Sequence, residues 1–233
     1  MCLSKRKQSG SSALSTGAGG ATRNLYPESM PVPVLEDLTA ELAMHILRAG
    51  RCAVDTETSG LDWRTDRLEI CQIATPDAGA VIIRNTGGRP DNLATILETA
   101  AVEKVLHFAP FDLRFLEHGW GIRAQAVRCT KTASRVLDPD LRSADHSLKP
   151  LLERRLGVRV CKGAVRTSDW GAPELSAEQV EYAVDDVRYL LSLLDDITAH
   201  MSPEQLALYE SLCAYLPWDA HREVVGVPDP LVH

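Results

Sequence analysis

No stretch of this chain reaches about 18 apolar residues, the length that a membrane span needs, so no crossing segment is expected. Cys-x-x-Cys pairs are also missing. The six cysteines (Cys2, Cys52, Cys71, Cys129, Cys161, Cys213) are scattered, several of them inside apolar runs. That argues against a zinc site or a disulfide framework, and they read as small core residues in a reducing compartment. His45, His146 and His221 show no metal-ligand spacing, and no internal repeat is present. Nor is there an excess of positive charge. The net charge is −7, which argues against coating long duplexes by bulk attraction, since that needs many cationic phosphate contacts. A short strand held at its end by metal remains compatible with it.

Acid is absent from the first 27 residues, which carry Lys5, Arg6, Lys7 and Arg23. Taking those four charges from a total of −7 leaves −11 on the rest. With no apolar h-region, a secretory signal is not expected. The Ser-, Gly- and Ala-rich composition reads as a disordered tail over 1–29; a transit peptide shares the same bias. The remainder is expected to be one domain over 30–218 and a short tail over 219–233, in the cytoplasm. A hydrophobic content of 45% is enough for its core.

Beyond Pro31 the pattern alternates. Leu38, Leu42 and Ile46 predict a helix over 35–48, closed by Gly50. Strands are predicted over 51–57, 68–75 and 79–84, the second half-buried by its alternation. The Pro76-Asp77-Ala78 turn makes these three an antiparallel meander. Helices come next over 91–101 with Asp91 as N-cap, then 111–119, 131–137 and 148–156. A single long amphipathic helix is predicted over 176–200, and residues 203–216 close the domain. Short strands fall at 104–108 and 126–130. A meander followed by alternating strands and helices predicts an α/β fold, a mixed central sheet flanked by helices.

The chemistry concentrates in Ala53-Val54-Asp55-Thr56-Glu57-Thr58-Ser59-Gly60-Leu61. Asp55 and Glu57 are two positions apart, and on a strand such positions share a face. Two anions there repel unless a cation lies between them. A divalent-metal site on a central strand is expected, completed from elsewhere. Asp112, in Leu106-His107-Phe108-Ala109-Pro110-Phe111-Asp112, opens a helix, where the dipole stabilises an acid in any protein. In Glu181-Tyr182-Ala183-Val184-Asp185-Asp186, Tyr182 and Asp186 lie one helical turn apart on one face. Asp185 points about 100° away and reads as a solvated acid, not a ligand.

In this order the three clusters resemble the DEDDy group of 3′–5′ exonucleases, which have the ribonuclease H-like fold. The likeness runs over nearly all of 30–218. Thr167-Ser168-Asp169-Trp170 through Leu191 is similar to ribonuclease D, as are Ser147-Leu148-Lys149-Pro150-Leu151-Leu152 and Leu156-Gly157-Val158. The resemblance implies that Asp55, Glu57, Asp112 and Asp186 bind two divalent metal ions, Mg²⁺ or Mn²⁺. Such ions stabilise the attacking and leaving oxygens of a phosphoryl displacement and require an all-oxygen, anionic ligand set. It also implies that Tyr182 orients the attacking water. Leu61 would wedge against the terminal base with Thr58 beside it, and His107 would touch the terminal nucleotide. The product would be nucleoside 5′-monophosphates cut from the 3′ ends of short single-stranded RNA or DNA, RNA favoured. Trp170 reads as a core residue or as a stacking surface for substrate.

Three departures narrow the resemblance. Ribonuclease D often has Asn where this chain has Phe108, and Asp-Thr where it has Cys129-Thr130. Its downstream helical HRDC domain has no counterpart here. All three are similar to the nanoRNase C type, single-domain oligoribonucleases that cleave RNAs down to dinucleotides and form ring-like homo-oligomers. A homo-oligomer is therefore expected, with no membrane partner. Ribonuclease D-like processing of structured RNA 3′ ends and an inactive nucleic-acid-binding module are the alternatives. Lys149, Arg154, Arg155, Arg159, Lys162 and Arg166 precede Trp170. They read as a solvated face or as a rim that contacts phosphate.

Overall fold

The computed structural model describes residues 32–160 and 164–232. The tail expected over 1–29 lies outside the described residues, as do Cys161 and Lys162.

The described chain enters as a two-residue strand, β1 (Val34–Leu35). Thr39 then caps α1 (Ala40–Ala49), its hydroxyl accepting from Leu42 N, and Gly50 ends that helix in the left-handed conformation at φ 68°. The helix expected from residue 35 starts later because Leu35 pairs with Ile83 instead. β2 (Arg51–Thr58), β3 (Leu68–Thr75) and β4 (Gly79–Arg84) form the expected antiparallel meander. Next come α2 (Asp91–Glu98), β5 (Glu103–Leu106), α3 (Pro110–Trp120), β6 (Val127–Cys129), α4 (Thr130–Leu137) and α5 (Leu148–Leu156). α6 (Ala177–Arg188), α7 (Leu190–Ala199) and α8 (Pro203–Val224) complete the chain.

The sheet order is β1-β4-β3-β2-β5-β6. β1, β5 and β6 join it in parallel, and β3 is antiparallel to both of its neighbours. This is the mixed sheet that the meander and the later alternation predict. β2 lies at its centre, with Asp55 opposite Gln72 and Glu57 opposite Ile70. β5 pairs with β2 only along residues 51–53. The edge of β2 beyond Ala53 is therefore left to the start of α3.

Four local expectations change. β3 is buried along its whole length, not on one face. Helices cover both sides: Ile70 packs with Tyr182 of α6, while Cys71 and Ile73 enter the core on the other face. Asp91 is the first residue of α2 and not its cap; Pro90 holds that position without a side-chain bond. Asp37 caps the helix from across the fold, its carboxylate accepting from Asn92 N and Leu93 N at 2.9 Å each. The single helix over 176–200 is broken at Tyr189 (φ −108°, ψ −1°). α6 lies on β2, β3 and β4, whereas α7 lies on β5, α4 and α5. The chain has to change axis there to bury Leu190, Leu191, Leu193 and Leu194. The segment expected to close the domain at Leu216 is α8, which runs on through Pro217 to Val224. Tyr209, Cys213 and Ala220 bury on both sides of that proline, and their packing outweighs the helical bond it removes, a cost of about 3 kcal/mol.

Cys52, Cys71, Cys129 and Cys213 are buried free thiols. Among the described residues, no helix is long and apolar enough to cross a membrane.

Candidate active site

β2 delivers the first two acids. Its alternation turns Asp55 and Glu57 to the face that carries Gln72, Ile70 and Ile82 in the next strands. α6 lies over that face, and a capping box of Ser176 and Gln179 fixes its start. Gln179 Nε2 also donates to Ser168 Oγ and Asp169 O, at 3.0 Å each, which ties down the loop before it. Tyr182 and Ala183 then pack on Ile70 and Ile82. One turn further on, α6 brings down Asp186.

The result is three carboxylates, Asp55, Glu57 and Asp186, each with an oxygen within 4.8 Å of the others. Asp186 is buried and the other two are half-buried. Anions this close disfavour one another's charge unless a cation or a proton joins them. An all-oxygen, multiply anionic donor set from two rigid elements suits a hard divalent cation such as Mg²⁺ or Mn²⁺. The residues present therefore fit the group that the sequence leads one to expect.

Asp112 is not one of the three. It sits in the first turn of α3, with its carboxylate against the open edge of β2. Thr56 Oγ1 donates to Asp112 Oδ1 at 2.7 Å, and the backbone N–H groups of Thr56 and Asp112 donate to the same carboxylate. Only 2% of Asp112 is exposed. That burial pushes its carboxyl up to about 7; the hydrogen bonds pull it down, and the charge of Asp186 pushes it up further. Asp112 thus stands close enough to Asp186 to sense it.

Two residues that support this arrangement escape a reading of the sequence. One is Thr56, through its bonds to Asp112. The other is Gln72, whose Nε2 donates to Asp55 Oδ2 at 2.8 Å. A polar residue inside an apolar strand is the signal. Its partner becomes legible only once the β2–β3 register is known.

The other expected positions are distributed around this centre. Leu61 is 83% exposed, on the loop from β2 to β3. That loop is braced by Thr58 Oγ1 donating to Gly60 O (2.5 Å), Asp62 N to Asp66 Oδ2 (2.8 Å) and Arg67 N to Ser59 Oγ (2.8 Å). The Thr58 hydroxyl is thereby committed to the turn. His107 is half-buried, with Nδ1 2.8 Å from Thr130 Oγ1. Because Thr130 donates its proton to Leu106 O at 3.3 Å, His107 Nδ1 is the donor to Thr130. Phe108 next to it is exposed and takes φ 63°, unusual for a bulky residue, with Lys131 Nζ 4.2 Å from its ring centre.

Of the two readings of Trp170, the core one fits its position and the stacking one does not. Trp170 is 2% exposed, with its ring 5.8 Å from that of Tyr182 at 49°. It has no open face on which a base could stack, because α6 and the sheet close over it. Asp185 pairs with Arg188 at 3.0 Å. Within the basic stretch, Arg154, Arg155 and Arg159 pair with Asp138, Asp196 and Glu153 at 3.6, 2.5 and 2.8 Å. Those three arginines therefore serve as ion-pair partners within the fold more than as a free rim for phosphate. His146 is a satisfied core histidine, 2.8 Å from Ser134 Oγ.

Comparison with known proteins extends this picture. Residues 34–202 match the family described as 3′–5′ exonuclease. A ribonuclease D of Xanthomonas oryzae pv. oryzae is 27% identical over 157 residues, 67% of this chain. The match covers 42% of that protein, so the chain spans less than half of this curated relative. Among solved structures, NrnC of Brucella melitensis is 31% identical with a TM-score of 0.77, over 87% of this chain and 98% of that one. It has also been solved with bound Mg²⁺ and bound to pGG. A nuclease solved in its apo form is 35% identical with a TM-score of 0.79, over 87% and 98% of the two chains. The mixed sheet and its flanking helices are those of the ribonuclease H-like exonuclease fold. The chain belongs to the 3′–5′ exonuclease family, an enzyme family of phosphodiester hydrolases, within the ribonuclease D superfamily and on its NrnC-like branch.

Proposed function

We propose that this protein removes nucleoside 5′-monophosphates from the 3′ ends of short single-stranded RNAs, down to dinucleotides, with divalent metal as cofactor. The observation that carries the reading is the trio of Asp55, Glu57 and Asp186, gathered within 4.8 Å beneath α6. In this reading the trio and Asp112 hold two Mg²⁺ or Mn²⁺ ions. When bound, such ions supply an activated water and stabilise charge on the attacking and leaving oxygens. Tyr182, one turn before Asp186, orients the attacking water through its phenol. Leu61 wedges against the terminal base, and His107, its tautomer set by Thr130, contacts the terminal nucleotide. The NrnC complex with pGG supports the short substrate.

Mass analysis of products from two- to twenty-nucleotide RNA and DNA strands tests this. Stepwise 5′-monophosphates from the 3′ end, with dinucleotides cut fastest, are expected. Faster trimming of a tRNA-sized substrate would favour the ribonuclease D-like alternative. No product with either Mn²⁺ or Mg²⁺ would mark an inactive binding module.

The wedge makes a separate prediction. A Cβ on Gly60 would collide with Asp66 Oδ2, so Gly60→Ala must displace the carboxylate that braces the loop. The expected result is a KM for dinucleotide raised about tenfold, the order of one lost well-placed contact. Mn²⁺ affinity should be unchanged. Steady-state kinetics and metal titration on one preparation check both.

A homo-oligomer is part of the same proposal. Leu208, Leu212, Tyr215 and Trp218 of α8 are 53, 40, 39 and 63% exposed, and spacings of four, three and three keep them on one side of the helix. A light-scattering mass equal to one chain would overturn it.

A further inference from the structure

We infer that Gln72 is a positioning residue, whose buried amide holds the Asp55 carboxylate in the orientation that lets it share a divalent cation with Glu57 and Asp186. The inference rests on reading that trio as a metal site.

Gln72 is fully buried in the middle of β3, opposite Asp55 on one side and Ile82 on the other. Away from the carboxylates of Asp55 and Glu57, the surroundings it meets under α6 are apolar: Ile70, Ile82, Tyr182 and Ala183. Packing alone would favour Met or Leu there. An amide gives up its hydration on entering such a place and needs partners in return. Gln72 recovers only part of them: its Oε1 is buried with no hydrogen-bond partner among the described residues. The amide is therefore a poor choice for the stability of the sheet. What it does provide is one N–H aimed at Asp55 Oδ2, at 2.8 Å.

Charge sets the direction of that bond. Turned over, the amide would place Oε1 against the lone pairs of the carboxylate oxygen, so the donor Nε2 is the end that faces Asp55. In return, a donor on one oxygen limits rotation of the carboxylate and favours the ionised form that a cation binds. A neutral donor does this without competing. Lys or Arg at the same position would bring a positive charge into the place of the ion itself.

The test is Mn²⁺ titration calorimetry on the full-length, metal-free protein with no nucleotide present, alongside thermal melting. Gln72→Met matches the length of the side chain but lacks the donor; Gln72→Asn keeps the amide but falls short by one methylene. Both are expected to raise the Mn²⁺ dissociation constant ten- to hundredfold, the usual effect of losing a partner that orients a ligand. The metal-free melting temperature of Gln72→Met should be equal to or above that of the unsubstituted protein, which a merely structural role would not allow. A dissociation constant within twofold of the unsubstituted protein in either variant overturns the inference, provided Asp55→Asn abolishes binding in parallel. If Asp55→Asn also binds Mn²⁺ normally, the metal reading of the trio fails and the role of Gln72 falls with it.

Discussion

Asp55→Asn is expected to slow nucleotide release by about 10³-fold or more, equivalent to roughly 4 kcal/mol of barrier. The substitution keeps the size of the side chain and removes one of three negative charges that lie within 4.8 Å of one another. It has two opposite effects. With one carboxylate gone, the site loses a ligand and part of the charge that attracts a cation. With one anion gone, the metal-free fold loses repulsion between neighbours. The metal-free melting temperature should therefore rise slightly, while the stabilisation that Mn²⁺ gives the unsubstituted protein shrinks, because a ligand that binds only the folded state stabilises it by mass action. Asp186→Asn should behave alike, being the buried member of the trio. Activity retained within tenfold in Asp55→Asn, measured with saturating Mn²⁺, would refute the assignment.

Asp112→Asn should stabilise the metal-free protein at pH 8 by about 5 °C or more while abolishing turnover. Burial holds the Asp112 carboxyl up at about 7 against the bonds from Thr56 that lower it. The unfolded chain releases that proton near pH 4. Between about pH 4 and 7 the folded state thus binds more protons than the unfolded state, so stability falls as pH rises through that window. Above pH 7 the whole cost of a buried charge is present, on the order of a few kcal/mol, and each kcal/mol is worth roughly 2–4 °C in a domain of this size. Asparagine carries no such charge. Melting curves from pH 5 to 8 without metal should fall for the unsubstituted protein and stay nearly flat for Asp112→Asn. A parallel decline in both would show that other groups set the slope. With the expected difference, function is held at the expense of stability, a common trade in active sites.

The parts of this site that are legible in the sequence are those that obey a local period. Asp55 and Glu57 share a face because a strand repeats every two residues, and Tyr182 and Asp186 share one because a helix repeats near four. The meander is legible because a three-residue turn leaves adjacent strands no other pairing. Trp170 is legible only as two alternatives, core or stacking surface, since a single aromatic carries no period and its burial depends on α6 folding over it. Gln72 and Thr56 act across strands and onto a helix start, and their partners are distant in sequence. The break at Tyr189 is hidden for a different reason. Leucines on both sides continue an amphipathic pattern, and only the change of surface from the sheet to α4 and α5 forces the bend. Composition favours Asp91 as a cap, whereas Asp37 reaches the same N–H groups from another segment.

The two residues of β1 occupy the outer side of β4, opposite Ile82 and Ile83. Short as it is, this strand closes a row of backbone groups that would otherwise be free to template pairing with another molecule. A shortened protein that starts after Leu35 would leave that row bare along a strand of high β-propensity. Aggregation under expression, not loss of catalysis, is the hazard that such trimming creates.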